Sequence, residues 1–180
     1  MVIKLSARAV FSLIAFICTA LLVTAYLLQY GTQQQQPCPL CILQRYAYLG
    51  VAVISAAGVL HAPRRVGGMI YNTAIASIAA IGAGFAIWQL SKGSTMQTCL
   101  ADPIGQFVNA LPSANWWPEF FFATGGCADK YPHILGLSVA AWSLVWFVSL
   151  AVFSTALVVR AYRSGHAIRF DPQTPGAGLR

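Results

Sequence analysis

The sequence predicts an all-α integral membrane protein, a bundle of four transmembrane helices with one long extramembrane loop. Three observations carry that prediction. Of 180 residues, 58% are hydrophobic and only 8% are charged, against about 45–50% and about 25% in soluble domains. The apolar residues come in unbroken blocks, without the periodicity of a soluble core. Four blocks reach the roughly 20 residues that a helix needs to cross about 30 Å of hydrocarbon. A soluble domain, a disordered chain and a collagen are excluded. An outer-membrane barrel would instead show alternating strands of about 10 residues.

The first predicted span covers residues 9–29. Two basic residues precede it, as in a signal peptide. The run is longer than the ~7–15 apolar residues of such a leader, and no A-x-A-like site follows Leu28, so a retained helix is expected. The second span covers 42–61, the third 69–90 and the fourth 135–159. Loops 30–41 and 91–134 then lie on one side of the membrane. Residues 1–162 make one membrane domain, and 163–180 read as a mobile, solvated tail.

Basic residues orient the bundle. Lys4, Arg8, Arg64, Arg65, Arg160, Arg163, Arg169 and Arg180 are eight of the eleven Lys and Arg, and all fall on one side of this topology. That side, with both termini, should be cytoplasmic. The other side carries only Lys92 and Lys130, opposed by Asp102, Glu119 and Asp129. The net charge of +7 therefore reads as a topology signal with some attraction to anionic lipid. No basic stripe suggests nucleic acid as a partner.

Five cysteines punctuate the chain. Cys18 sits midway along span one, about 15 Å from either interface at ~1.5 Å per residue. It reads as a small buried hydrophobe. Cys38, Cys41, Cys99 and Cys127 all lie on the non-cytoplasmic side, where disulfides persist. They pair naturally as Cys38–Cys41 and Cys99–Cys127. Zinc would need four converging ligands, but two spans separate the pairs, so no metal is expected. A c-type haem attachment would need His at residue 42, which is Ile. A structural staple is a serious reading of Cys99–Cys127. It suits Cys38–Cys41 poorly, because a C-x-x-C ring closes almost no loop and is usually redox-active.

Pro39 is well placed as the first residue of a helix, where its missing N–H costs nothing. Cys38 then falls near the N-cap and Cys41 in the first turn. A thiolate at Cys41 would face unpaired backbone N–H groups and the positive end of the dipole. Arg45, four residues on, lies one turn deeper on the same face. An arginine just inside a span is expensive and usually has a functional partner; snorkelling to headgroups is the plainer alternative. A thiolate beside a cation at the membrane surface suggests electron exchange with a lipid-soluble carrier, for which a quinone is the obvious candidate.

In the long loop, Asp102-Pro103 suits a helix start. Ile104, Phe107, Val108 and Leu111 follow at helical spacing until Pro112. With Trp116-Trp117-Pro118-Glu119-Phe120-Phe121-Phe122, this piece should lie flat in the interface as a short interfacial helix with an aromatic anchor. That would hold Cys99 and Cys127 near Cys38. Gly125-Gly126 would give the backbone freedom at Cys127; a simple turn is an equal reading.

Four spans, Pro37-Cys38-x-x-Cys41 with Arg45, Thr98-Cys99, Gly126-Cys127-Ala128, Trp117-Pro118 and Leu135-Gly136-Leu137 together resemble the disulfide-bond-formation DsbB family. That family belongs to the DsbA–DsbB–quinone relay that keeps the bacterial periplasm oxidising. The resemblance implies a thiol:quinone oxidoreductase of the bacterial inner membrane, with cysteine loops in the periplasm. Cys99–Cys127 would take electrons from a periplasmic DsbA-like thiol oxidase, with Cys99 forming the mixed disulfide. Cys127 would then attack Cys38 and release Cys41 towards a bound ubiquinone or menaquinone, with Arg45 supporting the quinone. The sequence departs from the family at the outer end of span three. Members often carry Arg or His there, whereas this chain has Gly84-Phe85-Ala86-Ile87-Trp88-Gln89-Leu90. The vitamin K epoxide reductase-like family also combines four helices with quinone chemistry, but its loop cysteines precede its Cys-x-x-Cys. A non-catalytic scaffold with two structural disulfides would not need Arg45.

Overall fold

The computed structural model describes residues 7–30, 37–92, 103–125 and 135–167. Four long helices, α1 (Ala7–Tyr30), α2 (Pro39–His61), α3 (Arg65–Lys92) and α7 (Val139–Ala167), are each long and apolar enough to cross a membrane. Three short helices, α4 (Pro103–Asn109), α5 (Pro112–Trp116) and α6 (Pro118–Phe121), lie between α3 and α7. The predicted all-α four-helix membrane bundle is what the chain forms.

The helices outrun their apolar runs, because hydropathy marks where hydrocarbon ends and backbone hydrogen bonding continues past it. α3 starts at Arg65 instead of residue 69, and α7 runs to Ala167, beyond residue 159. α7 begins four residues later than the apolar run. Leu135 and Gly136 take left-handed φ values of 53° and 82°, which no helix can contain. Ser138 then caps the helix, its Oγ accepting from the Ala141 N–H at 3.2 Å.

α1 packs on α2, α2 on α3, and α3 on α7. Small residues let the backbones approach. A Cβ on Gly82 of α3 would meet the Phe147 ring of α7 at 2.5 Å, and one on Gly58 of α2 would meet Phe11 of α1 at 2.9 Å. Buried Ala79, Ala83 and Ala86 line α3. Cys18, fully buried, belongs to this apolar core.

α4–α6 cap the end of the bundle where α2 begins. The amphipathic piece is not one helix to Pro112. It stops at Asn109, whose side chain pairs with Ala123: Nδ2 donates to the carbonyl at 3.1 Å, and Oδ1 accepts from the N–H at 2.8 Å. Pro112 and Pro118 each start a new short helix at its first turn. Val108 is buried while Phe107 is 62% exposed, so the apolar stripe faces the bundle only in part. The aromatic cluster is likewise divided. Trp116 stays exposed, whereas Phe120 and Phe121 enter the core. The α1 end holds this cap: Gln29 Nε2 donates to the Glu119 carbonyl at 2.8 Å, and the Tyr30 hydroxyl donates to it at 3.2 Å.

Candidate functional site

Cys38 is the N-cap of α2, as its position before Pro39 predicts. Its backbone is extended (φ −79°, ψ 159°), and its Sγ accepts the Cys41 N–H at 3.2 Å. One N–H of the first turn is therefore spent on the Cys38 sulfur, a refinement of the expectation that these N–H groups serve Cys41. The two sulfurs stand 2.7 Å apart. Their surroundings differ: Cys38 is fully buried, whereas Cys41 is only partly so and faces a cavity.

That cavity, of about 240 Å³, lies between α1 and α7 with α2 as its floor. Leu21, Ala25 and Leu28 form one wall, and Ala140, Ser143 and Trp146 the other. The lining is mostly apolar, with Cys41, Gln44, Arg45, Tyr48 and Gln89 contributing polar atoms. A largely apolar pocket with a few convergent polar groups is the form a small-molecule site takes. Tyr48 ties its deeper end together, donating to the Ser143 carbonyl at 3.1 Å and stacking on Phe147 at 4.1 Å.

Arg45 lies one turn below Cys41 and lines the same cavity. It is buried, its Nη1 donates to the Phe120 carbonyl at 2.8 Å, and its guanidinium sits 5.0 Å from the centre of the Phe120 ring. This is not a snorkelling side chain. Its charge is kept inside the protein, partly balanced by a carbonyl and an aromatic face.

Two residues the sequence reading passed over complete the site. Gln44 and Gln89 are both buried, and Gln44 Nε2 donates to Gln89 Oε1 at 2.7 Å. Gln89 Nε2 reaches Cys41 Sγ at 3.2 Å and Cys38 Sγ at 3.5 Å. The available signal was an amide within an apolar run, which is rarely idle inside a membrane. Gln44 also stands at i+3 from Cys41, and Gln89 lies in the stretch 84–90, which carries no basic residue.

Cys99 and Cys127 lie outside the described residues, as do Asp102 and Gly126. The chain leading to Cys127 is described as far as Gly125. There, the N–H groups of Thr124 and Gly125 both bond the Pro37 carbonyl at 3.2 Å, one residue before Cys38.

A Cys-x-x-Cys pair at the mouth of an apolar cavity, within four membrane-length helices, defines a membrane-embedded thiol–disulfide protein. Residues 7–157 match the family model described as disulfide bond formation protein DsbB. A relative named disulfide bond formation protein B from Ralstonia nicotianae is 37% identical over 160 residues, covering 88% of this chain and 98% of its own. One of the same name from Cupriavidus metallidurans is 35% identical, covering 86% and 94%. Another from Nitrosomonas europaea is 38% identical, covering 83% and 92%. The chain belongs to the DsbB family of disulfide bond formation proteins, and it is a membrane oxidoreductase that forms disulfide bonds.

Proposed function

We propose that the chain reoxidises a DsbA-like periplasmic dithiol and passes the electrons to a membrane quinone through Cys41. The observation that carries this reading is the shared cavity of Cys41 and Arg45. At about 240 Å³ it falls just below the ~300–1,000 Å³ of drug-sized sites, which suits a quinone head group. Its apolar walls suit a lipid-soluble carrier, and the Arg45 guanidinium, with five N–H donors, offers donors to ring oxygens. Ubiquinone and menaquinone both meet these requirements. A quinone bound there supplies a sink for two electrons and two protons, leaving as quinol.

The protein's own residues do the rest. The partner's thiolate attacks Cys99, the Cys99–Cys127 bond breaks, and its electron pair stays on Cys127. The partner's second thiol then displaces Cys99, so the partner leaves as a disulfide. Cys127 attacks Cys38, the Cys38–Cys41 bond breaks, and the electron pair goes to Cys41, beside the cavity. Each step is thiolate attack on a disulfide sulfur. The Thr124 and Gly125 bonds to Pro37 support the third step.

Orientation follows from charge. Arg65 donates to the Ala161 and Tyr162 carbonyls, which brings the start of α3 and the end of α7 to the His61 end of the bundle. Arg8, Arg64, Arg160 and Arg163 belong to the same end, which the positive-inside rule assigns to the cytoplasm. The Cys38 end then faces the periplasm.

The test is quinone reduction by purified protein supplied with a reduced DsbA-like dithiol, comparing wild type with Cys41→Ser. The proposal expects reduction by wild type and none by the variant. No reduction by wild type, with membrane lipid retained and several quinones tried, would favour a structural-disulfide scaffold.

A further inference from the structure

Gln89 and Gln44 form a buried amide chain that ends on the cysteine pair, and nothing in the relay described above uses it. The order of its bonds is chemically informative. A thiolate only accepts hydrogen bonds, so a side-chain amide beside it must present its NH2 group. Gln89 does so, at 3.2 Å from Cys41 Sγ. Its oxygen is then turned away and needs a donor of its own. Gln44 Nε2 fills that place at 2.7 Å. Both side chains are at least nine-tenths buried, where an amide left unsatisfied would be costly. Gln44 therefore fixes the flip of Gln89, and Gln89 offers the sulfur a donor that carries no charge.

The two sulfurs are served differently. Cys38 Sγ has the Cys41 N–H at the helix cap, at 3.2 Å. Cys41 Sγ has the Gln89 amide at 3.2 Å, the same amide standing at 3.5 Å from Cys38. When a thiolate attacks Cys38, the Cys38–Cys41 bond breaks and the electron pair moves to Cys41. That leaving sulfur is the one at the end of the amide chain.

We propose that Gln89, oriented by Gln44, is the donor that stabilises the Cys41 thiolate, and so sets the redox poise of the Cys38–Cys41 pair. The proposal rests on the reading of Cys41 as the sulfur that leaves. Stabilising the reduced form makes a dithiol–disulfide pair more oxidising. Removing the donor shifts the equilibrium towards the disulfide.

The experiment equilibrates full-length protein, freed of quinone and without any dithiol partner, against buffers of reduced and oxidised glutathione. In this reaction the Cys38–Cys41 dithiol gives two electrons to oxidised glutathione, yielding the protein disulfide and two reduced glutathiones. The redox state of each cysteine is read by differential alkylation and peptide mass spectrometry. Gln89→Leu should move the Cys38–Cys41 equilibrium about tenfold towards the disulfide, the size of a hydrogen bond to a charged group. Tenfold is about 30 mV for this couple. Gln44→Leu should move it the same way by less, and it serves alone if Gln89→Leu fails to fold. The double variant should match Gln89→Leu, because Gln44 acts only through Gln89. An equilibrium within twofold of wild type in the foldable variants would overturn the proposal. So would a double variant whose shift is the product of the two single ones. With quinone and partner absent, failure here leaves the relay standing, and failure of quinone reduction leaves this result interpretable.

Discussion

The two ends of the bundle use the same four helices for opposite purposes. At the His61 end, the backbones close on one another. Phe11 fills the space over Gly58 and meets Tyr71 edge-on at 5.9 Å, and Arg65 ties α3 to the last turns of α7. The buried hydroxyls of Ser55 and Ser154 have no hydrogen-bond partner, so these residues serve there as small side chains for close packing. At the Cys38 end, α1 and α7 stand on either side of a cavity, and buried Gln44, Arg45 and Gln89 are each hydrogen bonded. The buried serines of one end fill space. At the other, Gln44 and Gln89 are bonded to one another and Gln89 to sulfur, and among the described residues that end has the chemistry of a site.

The contrast can be broken first at Arg45. Arg45→Ala removes a charge-assisted hydrogen bond of about 1.5–3 kcal/mol, so kcat/KM for quinone should fall by roughly 10–100-fold. The rate at which a dithiol partner reduces the cysteines should fall much less. Equal losses in the two half-reactions would place Arg45 in general packing instead of at the electron exit.

Gly82→Val probes the packing that holds both ends together. Its side chain must enter space already taken by Phe147, and overpacking of this kind costs about 1–3 kcal/mol. Thermal unfolding in detergent should register that loss, while the quinone KM of the folded fraction stays near wild type. A changed KM with unchanged stability would mean that the α3–α7 contact shapes the cavity directly.

The smallest effect is expected at Cys18. It is fully buried in the apolar core, in the middle of α1, so Cys18→Ala should leave turnover within about twofold of wild type, since a free buried Cys acts as a small hydrophobe. A dead variant would bring Cys18 into the redox chemistry and erase the separation between core and site.

Much of this was legible in the sequence, for identifiable reasons. Apolar run length specifies a membrane helix directly, so α1, α2, α3 and α7 were visible, and so was the Pro39 start of α2. Helix ends were less visible. The left-handed turn at Leu135–Gly136 delays α7 without any change in hydropathy. The Asn109–Ala123 pairing that ends α4 joins residues whose meeting depends on the fold. The Cys38-x-x-Cys41 and Arg45 spacing is local to one helix and could be read from the chain. The Gln44–Gln89 chain joins residues 45 positions apart and needs α2 and α3 to be packed before it exists. For the same reason, the division of the aromatic run into exposed Trp116 and buried Phe120 was hidden: both are apolar, and only the position of α6 against Arg45 separates them.

The most direct measurement fills the cavity without touching sulfur or charge. Ala25→Trp projects a large ring from α1 into the space beside Cys41, and the two half-reactions are then followed separately. A DsbA-like dithiol should still reduce the cysteines of this variant at near wild-type rate, while electron transfer to added quinone should be lost. Quinone reduction at the wild-type rate with the cavity filled would contradict this reading of the cavity.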